Sequence, residues 1–368
     1  MAFTAADVKE LREKTGVGMM DCKKALTETD GDMEKAIDYL RERGLAAAQK
    51  KSSRIAAEGA VIAYTDEATN VSVIIEVNAE TDFVAKNDEF TSFALECAKV
   101  VAAQNPADVE ALSALTPAGG SMTIEELRQE KVLKIGENIK VRRFARYEGT
   151  VASYIHAGGS VGVMVAFDAD SAVVANPEFA AMGKNVAMQI AAMNPEYLCK
   201  DDMSEEDAAK LKSITIDSAL NKPDSLPVPI LNALITEAID GKKWADEDIA
   251  TYQGLDSKQK KNFVNFISKE ALAILAEIAV SKKAEISENK IFTGLVQGRI
   301  AKQLKDVCLF EQDFVRSDLF EGNVEGYVKY VAKQLGAEIK VASFVRFEKG
   351  EGLEKREDNF ADEVASMM

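Results

Sequence analysis

The chain has 368 residues, 47% hydrophobic and 29% charged, with a formal net charge of −16. That length points to two or three domains with a sizeable core. A surface this acidic is a poor match for direct nucleic-acid binding, which needs clustered cations to release counterions.

No apolar run is long enough to cross a bilayer. The opening residues Met1-Ala2-Phe3-Thr4-Ala5-Ala6-Asp7 have the pattern of neither a signal nor a transit peptide, so a cytoplasmic protein without membrane contact is expected. Cys22, Cys97, Cys199 and Cys308 lie far apart and form no C-x-x-C pair, which fits reduced, mostly buried thiols. His156 is the only histidine, so two-histidine metal sites are excluded. Neither a phosphate-binding G-x-x-x-x-G-K-[ST] loop nor a G-x-G-x-x-G fingerprint occurs. No cofactor, metal or catalytic residue is therefore expected. An enzyme pairing His156 with Cys199 or a carboxylate has no partner visible in the sequence.

Residues 4–44 read as three short helices. Thr4 or Asp7 can cap the first, Gly16-Val17-Gly18 is a turn, and Asp21 to Thr29 forms the second, burying Cys22, Ala25 and Leu26. Asp32 is placed to cap the third, which presents Met33, Ile37 and Leu40 and is expected to stop at Gly44. Some 40 residues make only a marginal core, so a small module (1–45) on a linker (46–57) is expected. The basic run Lys50-Lys51-Ser52-Ser53-Arg54 lies in that linker and reads as a solvated stretch.

An internal repeat follows. At an offset of 90, Glu58, Gly59, Val61, Tyr64, Val71, Val73, Ala79, Val84 and Ala85 recur as Glu148, Gly149, Val151, Tyr154, Val161, Val163, Ala169, Val174 and Ala175. After a one-residue gap, placed beyond Ala85, the offset becomes 89. Glu89, Phe90, Ala98, Ala102, Ala103, Asn105 and Pro106 then match Glu178, Phe179, Ala187, Ala191, Ala192, Asn194 and Pro195. Each copy has two β-rich runs around a turn and then a helix. A third strand is expected where Gly136 and Ile139-Lys140-Val141 recur at an offset of 200 as Gly336 and Ile339-Lys340-Val341, since an isolated hairpin is barely stable.

The expected class is α+β: two repeated subdomains with small antiparallel sheets, 58–147 and 148–197 with 304–347. A long helical insertion (198–303) interrupts the second, and a C-terminal helical module covers 348–368. Within the insertion, Phe263, Phe266, Ile267, Ile274, Leu275 and Ile278 form a stripe at helical spacing over 260–283, as a core or helix seam would. Pro223, Pro227 and Pro229 break the helices before it.

The copies differ at one informative place. The first has Thr81-Asp82-Phe83-Val84, and the second, by that alignment, Ser171-Ala172-Val173-Val174. An acid and a large aromatic that the second copy does without read as a functional addition on a loop. The bland alternative is a capping aspartate and a core phenylalanine.

Glu76-Val77-Asn78-Ala79-Glu80-Thr81-Asp82-Phe83-Val84-Ala85-Lys86-Asn87 resembles a signature of the elongation factor Ts family. Leu11-Arg12-Glu13-Lys14-Thr15-Gly16-Val17-Gly18-Met19-Met20-Asp21-Cys22-Lys23-Lys24-Ala25-Leu26 is similar to its other signature. Lys134-Ile135-Gly136-Glu137-Asn138-Ile139 and the stretch Gly350-Glu351-Gly352-Leu353-Glu354-Lys355 are also family-like, so the likeness covers about 3–197 and 295–368.

The resemblance implies a guanine-nucleotide exchange factor, not an enzyme, whose partner is the GTPase elongation factor Tu. It implies that the N-terminal module is ubiquitin-associated-like and docks on the partner's G domain through Met19, Met20 and Lys23. Asp82 and Phe83 would intrude as a wedge between two helices of the partner beside its magnesium site, with Thr81 and Val84 as further partner-binding residues. His156, in the hairpin turn of the second copy, and Ile135 and Gly136 would add contacts, and the C-terminal module would pack on the G domain. Read from the residues alone, His156 is equally a solvent-exposed turn residue. The family pattern has a short helical hairpin where this chain has 198–303, so the insertion is a departure and a candidate surface for self-association. A general adaptor that binds ubiquitin-like partners through the N-terminal module is the competing interaction reading.

Overall fold

The structure, a computed structural model, describes residues 3–354. The chain divides into two compact units, one of Met1–Asn194, Phe314–Glu321 and Gly326–Met368, the other of Pro195–Asp313 and Gly322–Glu325.

The first unit opens with α1 (Ala5–Thr15), α2 (Met19–Glu28) and α3 (Met33–Lys51). Thr4 caps α1 in a reciprocal pair with Asp7, and Asp32 caps α3 by accepting from the Lys35 amide. The three close over Val8, Leu11, Val17, Cys22, Ala25, Leu26, Ala36 and Leu40. Contrary to expectation, α3 does not stop at Gly44. A Cβ there would lie 3.3 Å from the carbonyl oxygen of Gln129, so this glycine permits close helix packing instead of ending the helix. Four residues on, Ala48 is buried in the neighbouring core. The expected linker 46–57 is therefore helical through Lys51.

Next come β1 (Glu58–Asp66), β2 (Val71–Ala79), α4 (Asp82–Ala85), α5 (Asp88–Gln104), α6 (Val109–Ala114), α7 (Ile124–Ile135) and β3 (Lys140–Glu148). The strands form an antiparallel sheet in the order β1-β2-β3. The central strand β2 is buried along its whole length. One face carries Val71, Val73, Ile75 and Val77 into a core with Phe90, Phe93, Val101 and Val132. Ile74, on the other face, meets Val61, Met164 and Phe347. Burial on both faces explains why β2 reads as an apolar run without alternation.

The second copy has β4 (Val151–His156), β5 (Val161–Ala169), α8 (Ser171–Val174) and α9 (Pro177–Met193). The repeat is visible in its caps. Asn87 and Asn176 cap α5 and α9 in the same way, and Asn105 and Asn194 end them in the left-handed conformation. The gap, however, falls earlier than the sequence alignment puts it. The strands β2 and β5 keep the offset of 90, whereas α4 and α8 already differ by 89. The extra residue thus lies in the loop Glu80-Thr81, and the counterpart of Phe83 is Ala172, not Val173.

The second unit is helical: α10 (Glu205–Leu220), α11 (Val228–Asp240), α12 (Asp246–Gly254), α13 (Lys269–Ser281), α14 (Lys283–Glu288) and α15 (Lys290–Val307). It has its own core around Leu220, Leu234, Ile235, Trp244, Phe263, Leu275 and Phe292. The apolar stripe over 260–283 is not one helix. Asn262 leaves helical geometry and Ser268 starts α13 afresh, which turns Phe266 toward solvent while Phe263, Ile267, Leu275 and Ile278 stay buried. After α16 (Val324–Leu335), β6 (Ile339–Glu348) completes the second sheet in the order β4-β5-β6. Of the C-terminal module expected at 348–368, only 348–354 is described, as a strand end and turns; the remainder lies outside the described residues.

Candidate partner-binding site

The loop after β2 is supported from both sides. Upstream, the carboxylate of Glu76 is fully buried. It accepts from Arg142 at 2.9 Å, Arg143 at 2.6 Å, the Gly350 amide at 2.8 Å and Asn78 at 3.1 Å. Burial alone pushes its pKa up, but these four donors outweigh that and hold it below the ordinary carboxylate value. Glu76 thereby fixes β2 to β3 and to the turn that follows β6.

Downstream, α7 ends at Gly136, whose φ of 89° a side chain would strain. Lys51 Nζ donates to the Gly136 carbonyl at 2.5 Å. The next residue, Glu137, accepts from the Glu80 amide at 3.1 Å, the Thr81 amide at 3.0 Å and the Thr81 hydroxyl at 2.7 Å. In return the Asn138 amide donates to Glu80 Oε1 at 2.6 Å, and Asn138 Nδ2 donates to the Arg54 carbonyl at 3.0 Å. One turn thus ties the segment after α3, the loop Glu80-Thr81 and the start of β3.

On this platform sits the four-residue α4. Thr81, not Asp82, occupies its N-cap position, and its hydroxyl is engaged with Glu137 instead of capping the helix. Val84 points inward to the core of the first sheet. Phe83, one residue earlier and about 100° around the helix, is 80% exposed. The reading of Phe83 as a core side chain is therefore excluded. Asp82 is exposed, and a hydrogen bond from Lys86 at 3.1 Å lowers its pKa. The result is an acid and a bare aromatic ring on an anchored backbone.

The structure brings Thr81, Asp82, Phe83 and Val84 together with the turn that holds Gly136. Ile135 packs partly into the core and Gly136 is exposed. His156 belongs to the other sheet. It is the last residue of β4, just before the hairpin turn in which sequence reasoning placed it, and it pairs with Val161. It is exposed, and its Nδ1 lies 2.9 Å from the Tyr154 hydroxyl. On α2, Met19 and Met20 are 54% and 75% exposed and Lys23 faces solvent. The module's own core gives no packing reason to show two adjacent methionines. Among the described residues, no group of three or more His, Cys, Asp or Glu side chains is arranged to hold a metal ion, and no helix is long and apolar enough to cross a membrane. Sequence reasoning missed Glu137. The signal was there: the offset of 200 that aligns Gly136 with Gly336 puts Ala337 in its place.

Comparison with known proteins places the chain in a family. The family model described as elongation factor TS matches residues 80–242 and 253–351. The chain is 41% identical over 368 residues to elongation factor Ts of Clostridium perfringens strain SM101, covering 99% of each chain. It is 39% identical over 368 residues to that of Clostridioides difficile strain 630 (100% of this chain, 99% of the relative) and over 373 residues to that of Trichlorobacter lovleyi (100% and 98%). These matches run through the helical segment 198–303, so it is shared with these relatives.

Proposed function

The chain belongs to the elongation factor Ts family, and from that we propose that it is the guanine-nucleotide exchange factor for elongation factor Tu, with Asp82 and Phe83 as the wedge that disturbs the partner's magnesium and phosphate site. The observation that carries the wedge is Phe83, four-fifths exposed on the short helix α4 that follows a fully buried strand and replaced by an exposed alanine in the second copy.

A GTPase holds GDP through magnesium and a phosphate-cradling loop. A factor speeds release without making or breaking a bond if it binds the nucleotide-free form more tightly than the loaded one, and factor and nucleotide then weaken each other reciprocally. Accelerating release about 10⁴-fold takes roughly 5.5 kcal/mol of differential binding. Burying one phenylalanine ring yields only about 1.5–3 kcal/mol. The wedge therefore needs support, which Met19, Met20 and Lys23 on α2, His156 on β4, the Ile135-Gly136 turn and the C-terminal module would supply across a wide interface.

Size-exclusion chromatography with purified elongation factor Tu tests the partner directly. Nucleotide-free elongation factor Tu should co-elute with this chain, and added GDP should dissolve the complex. Co-elution that GDP leaves unchanged would refute reciprocal coupling.

A further inference from the structure

We infer that Glu137 is a positioning residue for the wedge: its carboxylate clamps the Glu80-Thr81 loop and so pre-orders Phe83 for binding. The inference rests on the exchange reading above for its functional consequence, and on geometry alone for the clamp.

The two copies supply an internal control. Both have a helix ending in a left-handed glycine, Gly136 and Gly336, followed by the third strand. Both have a short helix after the central strand, α4 and α8. In the second copy the connection from β5 to α8 is one residue, Asp170, which caps α8 itself by accepting from the Ala172 amide at 3.0 Å. There Ala337 stands at the position of Glu137, and the exposed position after the first helical residue holds Ala172. The fold of this connection therefore does not require a carboxylate from the glycine turn. In the first copy the connection is longer by one residue, and the two residues that make it up, Glu80 and Thr81, are those whose amides Glu137 receives. The clamp thus occurs only in the copy that displays an aromatic ring.

The physical benefit is entropic. A ring on a loose loop must be ordered when it binds, and fixing the backbone of one residue is worth roughly a factor of five to thirty in binding. The carboxylate restrains the extra residue before the partner arrives. Neither oxygen of Glu137 needs to touch the partner for this.

The test compares E137A, E137Q, F83A and the double variant E137A/F83A in release of fluorescent GDP from elongation factor Tu at sub-saturating factor. Amide hydrogen exchange at Thr81 is measured in parallel on the free proteins. In E137A, release should slow about tenfold and the Thr81 amide should exchange faster, while β2 and β3 amides keep their protection. E137Q should restore most of both, because its amide oxygen can accept from the Glu80 and Thr81 amides and its NH2 can donate to the Thr81 hydroxyl. On the F83A background, E137A should cost little more.

Release by E137A at the wild-type rate overturns the inference. So does E137Q as slow as E137A, which would mean the charge acts on the partner directly, or a full additional loss in the double variant. If the wild-type chain itself fails to speed release, the exchange reading falls, and the Thr81 amide decides the clamp alone: unchanged protection in E137A overturns it and loss of protection sustains it.

Discussion

Replacing Phe83 with alanine separates a binding role from a folding role. The ring is 80% exposed in the free protein. Full burial of a phenylalanine side chain contributes about 1.5–3 kcal/mol, so the fifth already buried accounts for only about 0.3–0.6 kcal/mol of stability. For domains of this size that corresponds to a melting shift of no more than about 2 °C. The exposed four-fifths, once buried in a partner, contributes about 1.2–2.4 kcal/mol, which is roughly an 8- to 60-fold loss when removed. The assay is release of fluorescent GDP from elongation factor Tu with the factor well below saturation, alongside thermal melting of the free variant. Efficiency should fall by that factor with circular dichroism unchanged. A drop in melting of 5 °C or more, or exchange at the wild-type rate, would refute the reasoning, the first by making Phe83 a packing residue and the second by making it idle.

Substituting His156 with alanine should slow exchange moderately, by about two- to tenfold, since a polar contact at an interface rim is worth roughly 0.5–1.5 kcal/mol; the same GDP-release assay reads it, and a loss larger than that of Phe83→Ala contradicts the ranking. Replacing 201–306 with a short Gly/Ser linker should leave a folded first unit that still exchanges nucleotide, because the helical unit closes its own core; an insoluble or unfolded product in circular dichroism counts against it. Glu89 accepts from Lys131 at 2.6 Å and also from Lys134, and these hydrogen bonds lower its pKa from the ordinary 4.5 to about 2. A depressed folded-state pKa stabilises the fold above the unfolded value and is lost as pH falls through the folded one. Urea midpoints should therefore drop as pH falls from about 4.5 toward 2, and the drop should be shallower in Glu89→Gln; parallel curves for the two proteins would show that this link between α5 and α7 contributes nothing.

Much of the fold was legible because the repeat doubles each signal. Asn87 with Asn176 and Asn105 with Asn194 mark the same helix ends twice, and the third strands recur with their glycines. What stayed hidden depends on contacts between distant segments. Gly44 looks like a helix stop until the backbone of Gln129 is seen against it. Phe266 keeps helical spacing with its neighbours, yet the segment through Asn265 is a 3-10 helix and Ser268, in extended conformation, starts α13 afresh, so the register is broken. Identities misplace the one-residue gap: Val84 matches Val174 as well as Val173, and the match of Ala85 with Ala175 draws the gap beyond Ala85; the strand and helix ends place it in the loop Glu80-Thr81. The exposed Phe83 was legible as a difference between copies; its anchor differs between them too, as Glu137 against Ala337, but the contact itself joins residues 56 apart and carries no local pattern.

The central claim is exchange itself. Elongation factor Tu loaded with labelled GDP is mixed with excess unlabelled nucleotide, and the release rate is followed as substoichiometric amounts of this chain are added. The account predicts acceleration by orders of magnitude, proportional to added factor, with each molecule of the chain serving many molecules of the GTPase. A release rate unchanged even at equimolar or saturating chain would contradict it.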